Sequence, residues 1–392
     1  MLRHLPPAAT SLTMADFRQG LRAPAKTLPR FQAELAHYLG VNYCTLASSG
    51  RTALYLLLQR LSAEQPARLE VVLPAYTCPA LVKVILDAGL RPCLVDISPH
   101  TLAFEPEQLP GHIHEDTLAV ICVHPFGIPQ TIETVVALAH AAGAMVIEDA
   151  AQALGARIGG RPLGTQGDFG LFSLGPGKPL STGGGGIVCA GNEACGRLLD
   201  EAWQGLAPAS ASAAAWALVR LALLALAFHP AGWWLARRAG LHHAGNHEAS
   251  WGYRVGSLTA AQAAVGLSLL ARLDAINGRR RQNACQLMAH LQTFDFVQVP
   301  FTSEAAGSIY LRLPLIVDNE ERRERLLRRS GAAGIGAGRM YRHSLPELFP
   351  QLATRNYAGA AAVARRLLTL PTHHYLTHVD EASIVSIFQA EL

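Results

Sequence analysis

The chain reads as an α/β protein in which a large domain on a mainly parallel or mixed sheet, covered on both faces, precedes a smaller α+β domain. Three observations predict this. Short apolar runs alternate with amphipathic stretches from about Phe31 onward. Half of the 392 positions are hydrophobic, enough for a large core and a second smaller one. After Arg254 the beat changes to a long helical pattern and then an isolated apolar strand.

Taken in order, the spacing predicts a helix over 52–61, a strand over 71–73, a helix over 80–88 and a strand over 92–95. A strand over 119–123, a helix over 132–142 and a strand over 144–147 follow, then strands over 169–173 and 186–189. A helical pattern runs from 260 to 280, and an apolar strand covers 309–317. The expected division is a large domain over 1–260, with an apolar helical insertion at about 212–238, and a small domain over 261–392. The glycines of 331–338 read as a loop, because no βαβ unit surrounds them as a nucleotide fingerprint requires.

Composition excludes some functions. A formal charge of +4 is slight for this length, and the basic residues are scattered, so nucleic acid is not an expected partner. The seven cysteines form no CxxC pair and read as reduced core residues. The start of the chain, with Arg3, His4, Pro6 and Pro7, lacks the apolar stretch of a secretory signal, and a cytoplasmic location is expected. His242-His243 and His373-His374 have no companions at ligand spacing, and no metal is assigned.

In open α/β sheets ligands gather at the carboxyl ends of strands, which directs attention to Asp149, Gln152, Ser173 and Lys178. Singly, an aspartate after a strand is most often a helix cap and a lysine in a glycine-rich loop is most often solvated. Together they suit one chemistry. A lysine amine can attach a carbonyl cofactor, and a carboxylate can keep a pyridine nitrogen protonated so that the ring acts as an electron sink.

The ordered motifs Ser49-Gly50, Pro74-Ala75-Tyr76-Thr77, His124-Pro125-Phe126-Gly127, Glu148-Asp149-Ala150-Ala151-Gln152 and Gly167-Asp168 resemble the DegT/DnrJ/StrS family of sugar aminotransferases. The resemblance continues through Phe172-Ser173, Lys178, the glycines Gly183 to Gly186, Tyr253-Arg254 with Ala260-Ala261-Gln262-Ala263-Ala264, and Leu370-Pro371-Thr372. It implies the fold-type I, aspartate aminotransferase-like architecture of pyridoxal 5'-phosphate (PLP) enzymes, working as a homodimer. It also implies transfer of an amino group, with glutamate as the donor by analogy, to a keto-sugar nucleotide in glycan or polysaccharide biosynthesis. On matching positions, Lys178 would carry the cofactor as an internal aldimine and act as the catalytic acid and base. Asp149 would pair with the pyridine nitrogen, Gln152 with the ring hydroxyl, and Ser173 with the phosphate, while Tyr76 would stack on the ring. Ser49 and Gly50, opening the 52–61 helix, suit the same phosphate.

Three positions depart from the family. Arg51 stands where a small hydroxyl residue is usual, Gly252 where a partner-subunit asparagine usually precedes the Tyr-Arg pair, and Gly184 where an acidic residue is common. Arg51, gripping phosphate in a two-pronged way, would replace the missing asparagine contact. The departures keep two alternatives open: a PLP-binding, membrane-associated protein without turnover, and another PLP-dependent sugar-modifying enzyme. Against a sugar dehydratase, which carries histidine at the lysine position, stands Lys178.

The family does not account for 212–238. Arg220 interrupts its apolar run and Pro230 follows soon after, so neither piece has the roughly twenty unbroken apolar residues of a spanning helix. Two readings stand: a hairpin buried at the dimer interface, or an element peripheral on the inner membrane face. Trp216, Trp233 and Trp234, three of the five tryptophans, tilt the expectation toward the membrane.

Overall fold

The computed structural model describes residues 3–240, 252–300 and 307–392. The chain opens with α1 (Met14–Leu21), α2 (Thr27–Leu39), β1 (Tyr43–Ala47) and α3 (Gly50–Glu64). It continues through β2 (Glu70–Pro74), α4 (Ala80–Asp87), β3 (Arg91–Val95), β4 (Thr117–Val123), α5 (Glu133–Ala141) and β5 (Met145–Asp149). A small hairpin of β6 (Arg157–Ile158) and β7 (Arg161–Pro162) leads to β8 (Phe169–Ser173) and β9 (Gly186–Ala190). The helices α6 (Glu193–Trp203), α7 (Ala211–Ala227), α8 (Pro230–Arg238), α9 (Ala260–Leu270) and α10 (Leu273–Leu291) follow. The C-terminal part holds β10 (Val297–Gln298), β11 (Arg312–Val317), α11 (Glu320–Ala332), α12 (Leu345–Leu348), α13 (Ala358–Arg366), β12 (Leu367–Pro371) and α14 (His378–Gln389).

Seven strands form one sheet in the order β1-β9-β8-β5-β4-β2-β3. The pairs from β8 to β3 are parallel, and β9 runs antiparallel to both β8 and β1. Six strands therefore end at one edge of the sheet and only β9 starts there. Strands β4 and β5 are almost wholly buried, which explains why they read as unbroken apolar runs. The three-stranded antiparallel sheet β10-β11-β12 lies in the C-terminal part.

Three differences from the sequence reading have physical causes. The β1 strand is not predicted, because five residues with no alternation carry no periodic signal. The helical pattern over 260–280 breaks between α9 and α10, where Arg272 leaves helical geometry (φ −115°, ψ 3°) and reaches Asp16 on α1 at 2.9 Å. The strand expected from Ile309 starts only at Arg312, since the Ile309 and Leu311 amides donate instead to the carbonyls of Gly127 (3.0 Å) and Phe126 (2.8 Å). That diversion ties the C-terminal part to the loop after β4.

The 212–238 insertion is two helices bent by 83°. Ser210 caps α7 by accepting from the Ala213 amide, and His229 with Pro230 starts α8. No single described helix is long and apolar enough to cross a membrane. His242-His243 lies outside the described residues.

Candidate active site

The site sits where the carboxyl ends of β1, β2, β4, β5 and β8 meet. On β5, Glu148 faces inward on one side of the strand and Asp149 ends it. The Glu148 carboxylate is fully buried and accepts from His124 Nε2 (3.0 Å) and from the amides of Gly164 (2.8 Å), Gly167 (2.6 Å) and Gln166. Burial by itself would raise the Glu148 pKa, but the His124 ring and these amides outweigh it and hold the carboxyl below its ordinary value. The other His124 nitrogen, Nδ1, accepts from the Gln130 amide at 3.1 Å, so Nε2 carries the proton given to Glu148. The His124 amide donates to the Asp149 carbonyl at 3.1 Å, which fixes the strand end that presents Asp149.

Asp149 is buried, with Oδ1 accepting from the Ala151 amide at 3.0 Å. Burial raises its pKa against the opposing pull of that amide, Lys178 and His124. Lys178 follows the turn after β8 and is within electrostatic reach of Asp149, Cys78 and Arg312. Burial depresses its pKa, favouring the neutral amine that attacks a carbonyl. The next residue is anchored from α10: Arg280, buried, donates to the Pro179 carbonyl (3.2 Å), to Asn277 Oδ1 (2.7 Å) and to the Ala9 carbonyl (3.4 Å).

Ser49 caps α3, its Oγ accepting from the Thr52 amide at 3.1 Å, and Gly50 opens the helix. A Cβ placed on Gly50 would lie 3.4 Å from Ser173 Cβ and 3.6 Å from Ser173 Oγ, so the glycine brings the helix start against the end of β8. Two serine hydroxyls and a helix N-terminus thus form one cradle. Arg51, half-buried at its rim, is within electrostatic reach of Cys78, Arg220 and Tyr253.

Gln152 Oε1 accepts from the Phe126 amide (3.1 Å), and its Nε2 points to Tyr341 Oη at 3.5 Å. Tyr76 donates its hydroxyl to the carbonyls of Tyr341 (3.1 Å) and Arg339 (3.2 Å), with the two tyrosine rings edge to face at 5.6 Å. A cavity lined by Tyr76, Thr77, Phe126, Gln152 and Tyr341 opens between them. All eight residues expected from the sequence therefore lie at this one edge of the sheet.

Sequence reasoning missed Tyr341 and Arg312, which come from the C-terminal part and carry no local signal. It also passed over Cys78, although its position two residues after Tyr76 was a cue. Arg312 has no hydrogen-bond or ion-pair partner among the described residues, and burial pushes its pKa down to about 10. His373 is packed rather than ligating, its Nε2 donating to the Pro6 carbonyl at 2.8 Å. No group of three or more His, Cys, Asp or Glu among the described residues could hold a metal ion.

The departures also find places. Gly184 gives its carbonyl to Gln262 Nε2 (3.1 Å), and a Cβ there would meet that same nitrogen at 3.3 Å, so Gln262 fills the space of a longer side chain. Gly252 is exposed, with open space around it. The neighbouring Arg254 carbonyl accepts from Ser48 Oγ (2.7 Å) and Thr52 Oγ1 (3.0 Å), which lays this segment on the start of α3. A buried acid, a buried lysine amine, aromatic faces and a phosphate cradle fit PLP.

Known proteins resemble this chain in sequence and in fold. The chain is 33% identical over 168 residues to the GDP-perosamine synthase of Vibrio cholerae, covering 43% of this chain and 45% of that protein. It thus spans under half the length of this curated relative. Its fold is similar to Helicobacter pylori PseC, an aminotransferase involved in pseudoaminic acid biosynthesis, with a TM-score of 0.80, 18% identity and 99% of each chain covered. The sugar aminotransferase CalS13 from Micromonospora echinospora gives a TM-score of 0.77 at 25% identity, with 99% of this chain and 100% of that chain covered. The family model matches residues 15–389, and the chain belongs to the DegT/DnrJ/EryC1/StrS aminotransferase family.

Proposed function

We propose that this protein is a PLP-dependent aminotransferase that moves an amino group from glutamate to a keto-sugar nucleotide for glycan or polysaccharide biosynthesis. The observation that carries the reading is that Lys178 and Asp149, presented after two separate strands, lie within electrostatic reach of each other at the sheet edge that also carries the Ser49, Gly50 and Ser173 cradle. Bound there, PLP supplies an electron sink for the pair released when the substrate carbon gives up its proton.

The residues take distinct roles. Lys178 would hold the cofactor, and its amine would serve as the base and acid that moves the substrate proton. Asp149 holds the proton on the pyridine nitrogen, and Gln152 meets the ring hydroxyl. Tyr76 covers the ring face, with its own hydroxyl committed to the two carbonyls that fix its plane. The hydroxyls of Ser49 and Ser173 and the Gly50 amide hold the phosphate, with Arg51 as a two-pronged contact at the rim. Arg312, lacking an anionic partner and close to Lys178, receives a donor carboxylate.

The enzyme works as a homodimer in the cytoplasm, peripheral to the inner membrane face through 212–238. All seven cysteines are free, in keeping with a reducing compartment. The visible absorption spectrum of the purified protein before and after glutamate, with Lys178→Ala alongside, tests the activity. A band that the variant lacks and that glutamate converts supports the reading. A band indifferent to glutamate favours a binder without turnover, and no band at all overturns the cofactor assignment.

A further inference from the structure

The α7 helix has two faces with different fates. Its inner face is spent on the fold. Leu221 is 1% exposed and lies over the glycine run after Lys178, where a Cβ on Gly183 would touch it at 3.4 Å. Leu218 meets Gly20 of α1 in the same way, at 2.7 Å from a Cβ placed there. Below, α7 closes a small cavity with Pro176 and Gly177 of the lysine loop.

The outer face is exposed. Trp216 (65% exposed), Val219 (49%), Leu223 (58%) and Leu226 (67%) recur at helical spacing on one side of α7, and Leu235 (61%) extends the patch onto α8. Such a contiguous run of large apolar side chains is unusual on a solvated surface. The charges within the stretch itself are of one sign. From Ala202 to Gly240 there is no aspartate or glutamate, while Arg220, Arg237 and Arg238 stand in the stretch. The Arg238 guanidinium lies over the Trp234 ring, 5.2 Å from its centroid.

We infer that α7 and α8 form a docking surface for an anionic lipid bilayer, with α7 lying in the plane of the headgroups and its outer stripe among the upper acyl carbons. Charge complementarity selects the occupant. A second copy presenting the same stretch would set arginine against arginine with no carboxylate of its own to relieve them, whereas anionic headgroups complement the exposed Arg220 and Arg238. Length selects the pose. Seventeen residues of α7 reach about 26 Å at 1.5 Å each, short of a hydrocarbon core of about 30 Å, and the 83° turn into α8 keeps the pair at one interface. Because the inner face packs on the lysine loop, docking places the catalytic edge of the sheet within about one helix diameter, ~10 Å, of the membrane. This surface rests on the peripheral placement of 212–238 proposed above and not on the aminotransferase activity, since lipid binding is measured without turnover.

The test is sedimentation of the full-length, cofactor-loaded protein with vesicles of phosphatidylglycerol and phosphatidylethanolamine, against vesicles of phosphatidylcholine alone. Binding to the anionic vesicles that weakens with salt is expected. Arg220→Gln with Arg238→Gln reduces partitioning about 30-fold, as ~1 kcal/mol per basic residue near an anionic surface requires. A Trp216→Ser, Leu223→Ser, Leu226→Ser variant reduces it by roughly a hundredfold or more. Light scattering on the same samples shows the variants keeping the wild-type mass. Wild-type protein that stays in the supernatant overturns the inference. So do variants that lose their oligomeric state while still binding vesicles, which would make the face an interface between copies.

Discussion

Replacing Glu148 by glutamine tests whether the buried cluster behind Asp149 holds the site together. The carboxylate oxygens meet only donors: the His124 ring, the Gly164 and Gly167 amides, and the Gln166 amide. A glutamine has the same size but must turn an NH2 group toward two of them. His124 cannot relieve the clash by changing tautomer, because its Nδ1 is already committed to the Gln130 amide. Leaving two buried donors facing an NH2 group costs about 1–3 kcal/mol each, about 4 kcal/mol together. With an unfolding entropy near 2.1 cal/mol/K per residue, 392 residues convert about 4 kcal/mol into a melting point roughly 5 °C lower.

The same group has a pH signature. Its native pKa is depressed, so its contribution is complete above the unfolded value of about 4.3 and is lost as pH falls through the native value. Urea unfolding of wild type should therefore weaken below about pH 4, and the glutamine variant should lack that part of the slope. Urea midpoints by circular dichroism between pH 3.5 and 7 measure both effects. Equal midpoints for the two proteins at pH 7 would refute the account, because no other reading of a buried, four-donor carboxylate leaves it dispensable.

Three further outcomes follow from the site. Arg51→Ala should weaken affinity for PLP about 10- to 150-fold, the loss of one or two charge-assisted hydrogen bonds, while leaving binding of phosphate-free pyridoxal unchanged in titrations of both. Arg312→Ala should slow the half-reaction with glutamate by a similar factor but spare a carboxylate-free amine such as benzylamine, and equal losses on both donors would remove Arg312 from the donor site. Gly127→Ala should lower the unfolding free energy by about 2–4 kcal/mol, measured by urea titration. It sits at φ +73°, and an added Cβ would lie 2.3 Å from Ile309 Cγ1 and 2.9 Å from the Gln152 carbonyl.

Much of this molecule was legible without coordinates. The strands β4, β5 and β8 are buried on both faces and so announce themselves as continuous apolar runs. Their polar last residues, Asp149 and Ser173, stand out because a buried sheet has few other reasons to end in such groups. The ordered motifs that resemble the family carried Lys178, Gln152, Tyr76 and the Ser49-Gly50 cap. Tertiary structure decided what depends on distant partners. The break before α10 needs Asp16 of α1 to hold Arg272, and no glycine or proline marks it. The diversion of Ile309 and Leu311 needs the carbonyls of Gly127 and Phe126, far away in the chain. Tyr341 and Arg312 reach Lys178 and Gln152 only because the C-terminal part folds back over the sheet edge, and hydrophobic periodicity has no term for such contacts. The two faces of α7 illustrate the division most simply: its apolar composition is local information, but which side is covered depends on where Gly20 and Gly183 come to lie.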